Sequence, residues 1–267
     1  MMGLRADGLL VEVRGKRLVG PLSVSLSQGR VVALVGPNGA GKTSLLRALA
    51  GDVAPSEGRV TLHDRPLDAW APRALARLRA VVPQHASLTF PFEVLPLVQM
   101  GRLPHDEPTS RAYEIARAAL ERLGLGPLAR RRYTTLSGGE RQRVHLARAL
   151  AQLWEAQPEG GRFLLLDEPT AHLDPAHVQE VMQVLRGLAS EGVGVVLVIH
   201  DLNTAALCAD ELLLLRQGTL LAQGPAAQVL TPENLRALLG VAPTLVPHPE
   251  AQTPMLLPAA PSPPKPR

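Results

Sequence analysis

"VVALVGPNGAGKTSLLRALA", residues 31–50, decides the fold. Val31–Val35 is apolar throughout, with no polar alternation. Such a run reads as a strand buried on both faces, as in a parallel sheet covered by helices. Lys42–Ala50 carries helical spacing. Between them lies "GPNGAGKT": Gly36, Pro37, Asn38, Gly39, Ala40, Gly41, Lys42 and Thr43, with Ser44 next. It fits G-x-x-x-x-G-K-[ST] in the strand–loop–helix setting that the motif requires. The glycines let backbone N–H groups wrap phosphate oxygens, and the helix N-terminus adds positive potential. Lys42 is placed to reach terminal phosphates, and the Thr43 hydroxyl to take Mg²⁺. The only other lysines are Lys16 and Lys265, so chance placement at the motif position is a weak explanation.

Outward from this stretch, Phe163–Leu166 and Val193–Ile199 read as two more strands buried on both faces. Helical patterns at Pro175–Ala189 and Leu202–Ala209 follow them. Strand then helix, repeated, predicts an α/β fold with a parallel core sheet. The first thirty residues and Gly58–Leu67 read as short strands, forming an antiparallel β subdomain at one side. Helices at Glu93–Gly101, Ser110–Leu123 and Gly138–Leu153 then dominate, predicting a helical subdomain inserted at about 84–153. Residues 1–241 are read as a single domain. From residue 242 the chain turns proline-rich ("TPMLLPAAPSPPKPR"), and a disordered tail is expected over 242–267.

Two further segments carry chemistry. "RFLLLDEPTAHLD", residues 162–174, puts Asp167 and Glu168 at the C-terminal end of a buried strand, where ligands of open α/β sheets sit. Asp167 is placed to hold Mg²⁺, and Glu168 to polarise an attacking water. "LSGGERQRVHLARAL", residues 136–150, begins a helix on Gly138 and Gly139. Glycine inside a helix costs about 1 kcal/mol relative to alanine, so the pair is better explained by close backbone approach to an anion at the helix start.

Composition narrows the classes. The chain has 267 residues, 46% of them hydrophobic, and a formal net charge of +4. The arginines are scattered rather than striped, which makes no case for nucleic acid; Arg130–Arg131–Arg132 reads as a solvated turn. Cys208, the only cysteine, excludes an internal disulfide and fits a reducing compartment. No secretory leader is expected, and the longest apolar runs fall short of the ~18 residues that a membrane span needs. A membrane role would come through a partner.

Taken together and in this order, the motifs resemble those of the ATP-binding subunits of ABC transporters, over roughly residues 4–240. The resemblance implies a P-loop NTPase fold, ATP as substrate and Mg²⁺ as cofactor. Gly36 to Ser44 match the Walker A loop, and Gln84 in "VVPQHASL" matches the Q-loop glutamine. Leu136, Ser137, Gly138, Gly139 and Glu140 match the signature. Phe163–Asp167 match Walker B, followed by the catalytic carboxylate Glu168. Ala171–Asp174 match the D-loop, with His172 at a variable position and Asp174 at its end, and His200 in "LVIHDL" matches the switch histidine. The implied catalytic set is Glu168, His200 and Gln84, with Mg²⁺ at Thr43, Gln84 and Asp167. In this family the signature contacts the γ-phosphate of ATP held by another subunit, so a homodimer with two composite sites is implied. One departure stands out. The family often stacks adenine on an aromatic upstream of Walker A; "GLLVEVRGKRLVG" has none, and Val11 is expected at that place.

"PQHASLTFPFEVLPLVQMGRLPH" is similar to the helical region of importer ATPases for ferric siderophores, haem and cobalamin. "RVHLARALAQLW" and the spacer "EAQPEGGR" favour the haem branch. The resemblance implies an ATPase coupled to import. It would sit peripherally on the cytoplasmic face of the plasma membrane, with permease subunits as direct partners and a substrate-binding protein as an indirect one. Phe90, Phe92, Val94 and Leu97 either border the groove for the permease or form the core of the helical subdomain. A non-transport ABC ATPase is the alternative class; the paired cassettes or long insertions common there do not occur in this chain.

Overall fold

The computed structural model describes residues 3–84, 88, 90–171, 173–241, 243–249, 251 and 253–257. Two long strands open the chain, β1 (Gly3–Val13) and β2 (Lys16–Ser27), and β3 (Val31–Val35) runs into α1 (Lys42–Ala50). β4 (Glu57–Leu62), β5 (Arg65–Pro66), α2 (Pro72–Leu78) and β6 (Arg79–Val82) follow. Three helices come next, α3 (Val94–Gln99), α4 (Thr109–Arg122) and α5 (Gly138–Gln152). Then strands and helices alternate: β7 (Phe163–Asp167), α6 (Pro175–Ser190), β8 (Gly194–Val198), α7 (Leu202–Cys208) and β9 (Glu211–Arg216). β10 (Thr219–Gly224), α8 (Ala226–Val229), α9 (Pro232–Leu239), β11 (Thr244–Pro247) and β12 (Pro254–Leu257) complete the order.

The main sheet has six strands in the order β10-β9-β3-β8-β7-β6. All neighbours in it are parallel except β10 with β9. Its lack of alternation in sequence has a direct cause: each strand faces two apolar layers. Val31, Ala33 and Val35 join one core with Leu164, Leu166, Val195 and Leu197, on the side of α3 to α6. Val32 and Leu34 join the other with Leu165, Val196 and Val198, under α1 and the antiparallel sheet β2-β1-β4-β5. Leu45, Leu46 and Leu49 of α1 are all buried there, and full burial of one such side chain contributes about 1.5–3 kcal/mol.

The helices between β6 and β7 pack mainly on one another and on the first of these cores. A buried ion pair fixes one corner. Arg102 is 1% exposed at its side chain, donates to both oxygens of Glu107 at 2.7 Å, and also reaches Glu155 at 2.9 Å and the Ala151 carbonyl at 2.7 Å. Every charge in that corner therefore has a partner, the condition under which burial of ions is tolerated.

The expectation of a disordered tail does not hold through residue 257. β11 and β12 pair as an antiparallel hairpin, Thr244 opposite Leu257 and Pro247 opposite Pro254. Each strand has four residues, too few to show a period in sequence. The prolines sit at the strand ends, where they do not interrupt the pairing. Leu245 and Leu256 pack against the main core, so docking rather than a core of its own orders the hairpin. Residues 258–267 lie outside the described residues.

Candidate functional site

The register of the main sheet brings the predicted groups to one edge. Val82 of β6 stands opposite Leu166, Asp167 of β7 opposite Val198, and Leu34 of β3 opposite Val198. The four strands therefore end together. Gly36 follows β3, Glu168 follows β7, and His200 and Gln84 each lie two residues past β8 and β6. This is the carboxyl edge of an open parallel sheet, where crevices form.

The loop from Gly36 to Gly41 closes tightly. Gly41 caps α1 with φ 97°, and a Cβ there would come within 2.6 Å of the Leu18 carbonyl oxygen, so glycine is required on both counts. Lys42 is 5% exposed, and its Nζ donates to the carbonyls of Gly36 at 2.9 Å and Pro37 at 3.1 Å. Burial lowers its pKa, opposed by the nearby carboxylates of Glu168 and Asp167. Asn38 to Ser44 line a cleft together with Glu168 and His200.

Across the cleft floor, the Thr43 hydroxyl donates to Asp167 Oδ1 at 3.2 Å. Burial raises the Asp167 pKa, and the Thr43 bond and Lys42 oppose that shift. Glu168 has φ 51°, a left-handed backbone that a residue with a Cβ holds only when its surroundings enforce it. Here its side chain is held from two sides: Gln84 Nε2 donates to Oε2 at 2.7 Å, and His200 Nε2 lies 2.5 Å from Oε1. Thr43, Asp167 and Gln84 offer oxygen atoms, the donor chemistry that suits a hard divalent cation such as Mg²⁺.

The signature segment stands apart from this cleft. Leu136 is buried, while Ser137 and Gly138 are exposed. Ser137 caps α5 in a reciprocal box: Glu140 N–H donates to its hydroxyl at 3.2 Å, and Ser137 N–H donates to Glu140 Oε2 at 2.7 Å. A Cβ on Gly139 would meet Leu173 Cδ2 at 2.7 Å, so a glycine lets the D-loop segment pack on the start of α5. Asp174 caps α6, accepting from His177 N–H at 3.0 Å. His172 lies outside the described residues.

One expectation is revised by the structure. Val11 is buried in the core opposite Val19 and does not line the cleft. A register shift between Leu9 and Val11 turns the strand there, so the equivalence read from sequence fails. The far end of the cleft is lined instead by Lys16, Arg17 and Leu18, at the start of β2 just past the β1–β2 turn, and by Gln217 of the β9–β10 turn. The second turn is tied to the phosphate loop, since Gly218 N–H donates to the Ala40 carbonyl at 2.9 Å. Among the four residues after Gln84, Val94 and Leu97 are core, whereas Phe90 is 63% exposed and Phe92 half-buried, with ring centroids 4.7 Å apart.

Comparison with known proteins follows the same lines. The ABC transporter family profile matches residues 19–171. The hemin import ATP-binding protein HmuV of Gloeobacter violaceus is 46% identical over 257 residues, covering 96% of this chain and 94% of that protein. HmuV of Pseudomonas aeruginosa is 45% identical over 254 residues, covering 95% and 99%. A solved structure described as an inward-facing ABC transporter of metal-chelate type superposes with a TM-score of 0.80 at 32% identity, covering 97% of this chain and 98% of that one. With a phosphate loop, an acidic strand end and a signature helix in the order and setting that this family shares, the chain belongs to the ABC transporter family.

Proposed function

We propose that this chain is the ATP-hydrolysing subunit of an importer for hemin. The observation that carries the chemistry is the convergence of Lys42, the Thr43–Asp167 pair, and Glu168 held by Gln84 and His200 at one sheet edge. The cargo follows from the relatives named hemin import ATP-binding proteins, alike over nearly the whole chain.

In the proposed reaction, the N–H groups of the Gly36–Ser44 loop bind the phosphates of ATP, and Lys42 exchanges its bonds to the Gly36 and Pro37 carbonyls for the β- and γ-phosphates. Thr43, Asp167 and Gln84 would hold Mg²⁺, which would offset phosphate charge when bound. Glu168 orients a water in line with the γ-phosphorus and accepts its proton. The new P–O bond forms as the bond to the β-phosphate oxygen breaks, giving ADP and phosphate. Gln84 and His200 hold the Glu168 carboxylate in place, and in this reading His200 also contacts the γ-phosphate.

Leu136, Ser137, Gly138, Gly139 and Glu140 act on the nucleotide of a second copy. Ser137 and Gly138 are exposed at the start of a 15-residue helix and do not line their own chain's cleft. One phosphate loop and one signature per chain then give two shared sites under two-fold symmetry. Permease subunits dock where Phe90 and Phe92 reach the surface, and the subunit works peripherally at the cytoplasmic face of the membrane. Among the described residues no helix is long and apolar enough to cross it.

The test is growth. A strain lacking this chain should fail to grow on hemin as sole iron source. Restoring the wild-type gene should rescue it, and the Lys42→Ala gene should not. Unimpaired growth on hemin in the deletion strain would refute the cargo. The likeness to a metal-chelate type transporter favours a second reading, with another metal chelate, a ferric siderophore or cobalamin, as cargo; loss of uptake of that chelate but not of hemin would select it.

A further inference from the structure

The hairpin β11–β12 is joined to the helix that begins just after His200. Asn203, half-buried in the first turn of α7, makes a two-point bond to the backbone of β12. Its Nδ2 donates to the Leu256 carbonyl at 3.0 Å, and Leu256 N–H donates to its Oδ1 at 2.8 Å. The side-chain amide pairs with the strand edge as another strand would.

α7 needs such anchoring. It has seven residues, about two turns, and a helix of that length has little stability of its own. Its far end is tied by Arg186, whose guanidinium donates to the Leu207 carbonyl at 3.1 Å. Its inner face is Ala205 and Ala206, both buried, with Leu202 and Cys208 partly buried against the same core. At its start Asp201 caps the helix, accepting from Thr204 N–H at 2.8 Å and from the Thr204 hydroxyl. That cap fixes Asp201 to the helix but not the helix to the body. At the end that bears His200, Leu202 packs on the core and Ile199 N–H donates to the Leu34 carbonyl at 3.2 Å; Asn203 adds a hydrogen-bonded tie to the first turn of the helix itself. His200 is itself 46% exposed at its side chain, with Glu168 as its hydrogen-bond partner.

We propose that Asn203 is a positioning residue, and that the C-terminal hairpin acts through it to hold His200 against Glu168. The path runs from Leu256 to Asn203, through the capped first turn of α7, to His200 and then Glu168. Undocking the hairpin would release the helix start and let His200 leave the carboxylate while the phosphate loop stays intact. The tail is thereby a part of the catalytic apparatus at a distance. The inference rests on the role given to His200 above.

The experiment compares single-turnover ATP hydrolysis and ATP affinity for wild type, Asn203→Ala, His200→Ala and the double variant, all in the full chain. Asn203→Ala should hydrolyse bound ATP about five- to twenty-fold more slowly, the effect of losing two hydrogen bonds, with affinity for ATP within about two-fold. The double variant should be no slower than His200→Ala, since residues acting as a unit are not additive. Asn203→Asp, which keeps the acceptor for Leu256 N–H, should fall between wild type and alanine. A wild-type rate for Asn203→Ala, or a full further loss on top of His200→Ala, would overturn the proposal and leave the role of His200 standing. A wild-type rate for His200→Ala would instead remove that role and this proposal with it.

Discussion

Glu168→Gln separates chemistry from folding more cleanly than any other change in the site. Glu168 accepts from Gln84 Nε2 at 2.7 Å and meets His200 Nε2 at 2.5 Å. Glutamine has the same length. Its carbonyl oxygen can accept from Gln84, and its NH₂ can donate to His200 when that nitrogen is unprotonated. The variant can keep both contacts and exchanges two charged bonds for neutral ones, a loss of about 1 kcal/mol for each bond. The chemical step fares differently. An amide does not take the proton of the attacking water, and general-base contributions are typically ~10²- to 10⁴-fold, equivalent to roughly 2.7–5.4 kcal/mol of barrier. The barrier should therefore rise by more than the roughly 2 kcal/mol lost in stability, with ATP still bound. Single-turnover hydrolysis of radiolabelled ATP reads the first quantity, denaturant unfolding the second, and calorimetry the affinity. Hydrolysis within about three-fold of wild type, with binding shown, would refute Glu168 as the base and turn attention to water held by Gln84 and His200.

The same Glu168→Gln protein should double its mass in light scattering when ATP and Mg²⁺ are added, because each γ-phosphate would bridge Lys42 of one copy and Ser137 of the other; a monomer at saturating ATP would refute the shared site. Lys42→Ala should weaken ATP binding by about 10²-fold or more, since charge-assisted hydrogen bonds contribute about 1.5–3 kcal/mol each; near wild-type affinity in calorimetry would sink the loop assignment. In the helical region, the hydrogen bond from Arg102 holds the Glu107 carboxyl below its usual range. The unfolded chain then binds the proton more readily, so this stabilisation is present above the unfolded pKa of about 4.3 and is lost as pH falls through the folded value. Glu107→Gln should flatten the fall of denaturant stability below about pH 4.3, and an unchanged slope would refute the pairing argument.

What the sequence by itself determined is what contiguous residues carry. The strand Val31–Val35, its loop and the helix Lys42–Ala50 are continuous in the chain, and the structure places strand and helix at those bounds. Apolar runs named the other buried strands because they are contiguous and strand-sized, too short for a typical helix. The helices after Gln84 were legible from their 3.6-residue spacing. Tertiary structure alone decided the rest. Glu168 meets Gln84 and His200 only because β6, β7 and β8 lie side by side in one register, across sequence gaps of 84 and 32 residues. A register shift in β1 buried Val11 and gave the far end of the cleft to Arg17, Leu18 and Gln217, which no spacing reveals. The order of the β11–β12 hairpin comes from outside the segment itself. Four-residue strands have no detectable period, and the Asn203 bond to Leu256 joins residues 53 apart through side-chain and backbone groups that look ordinary in sequence. Local pattern reports what a segment can bury; only the fold reports what it is buried against.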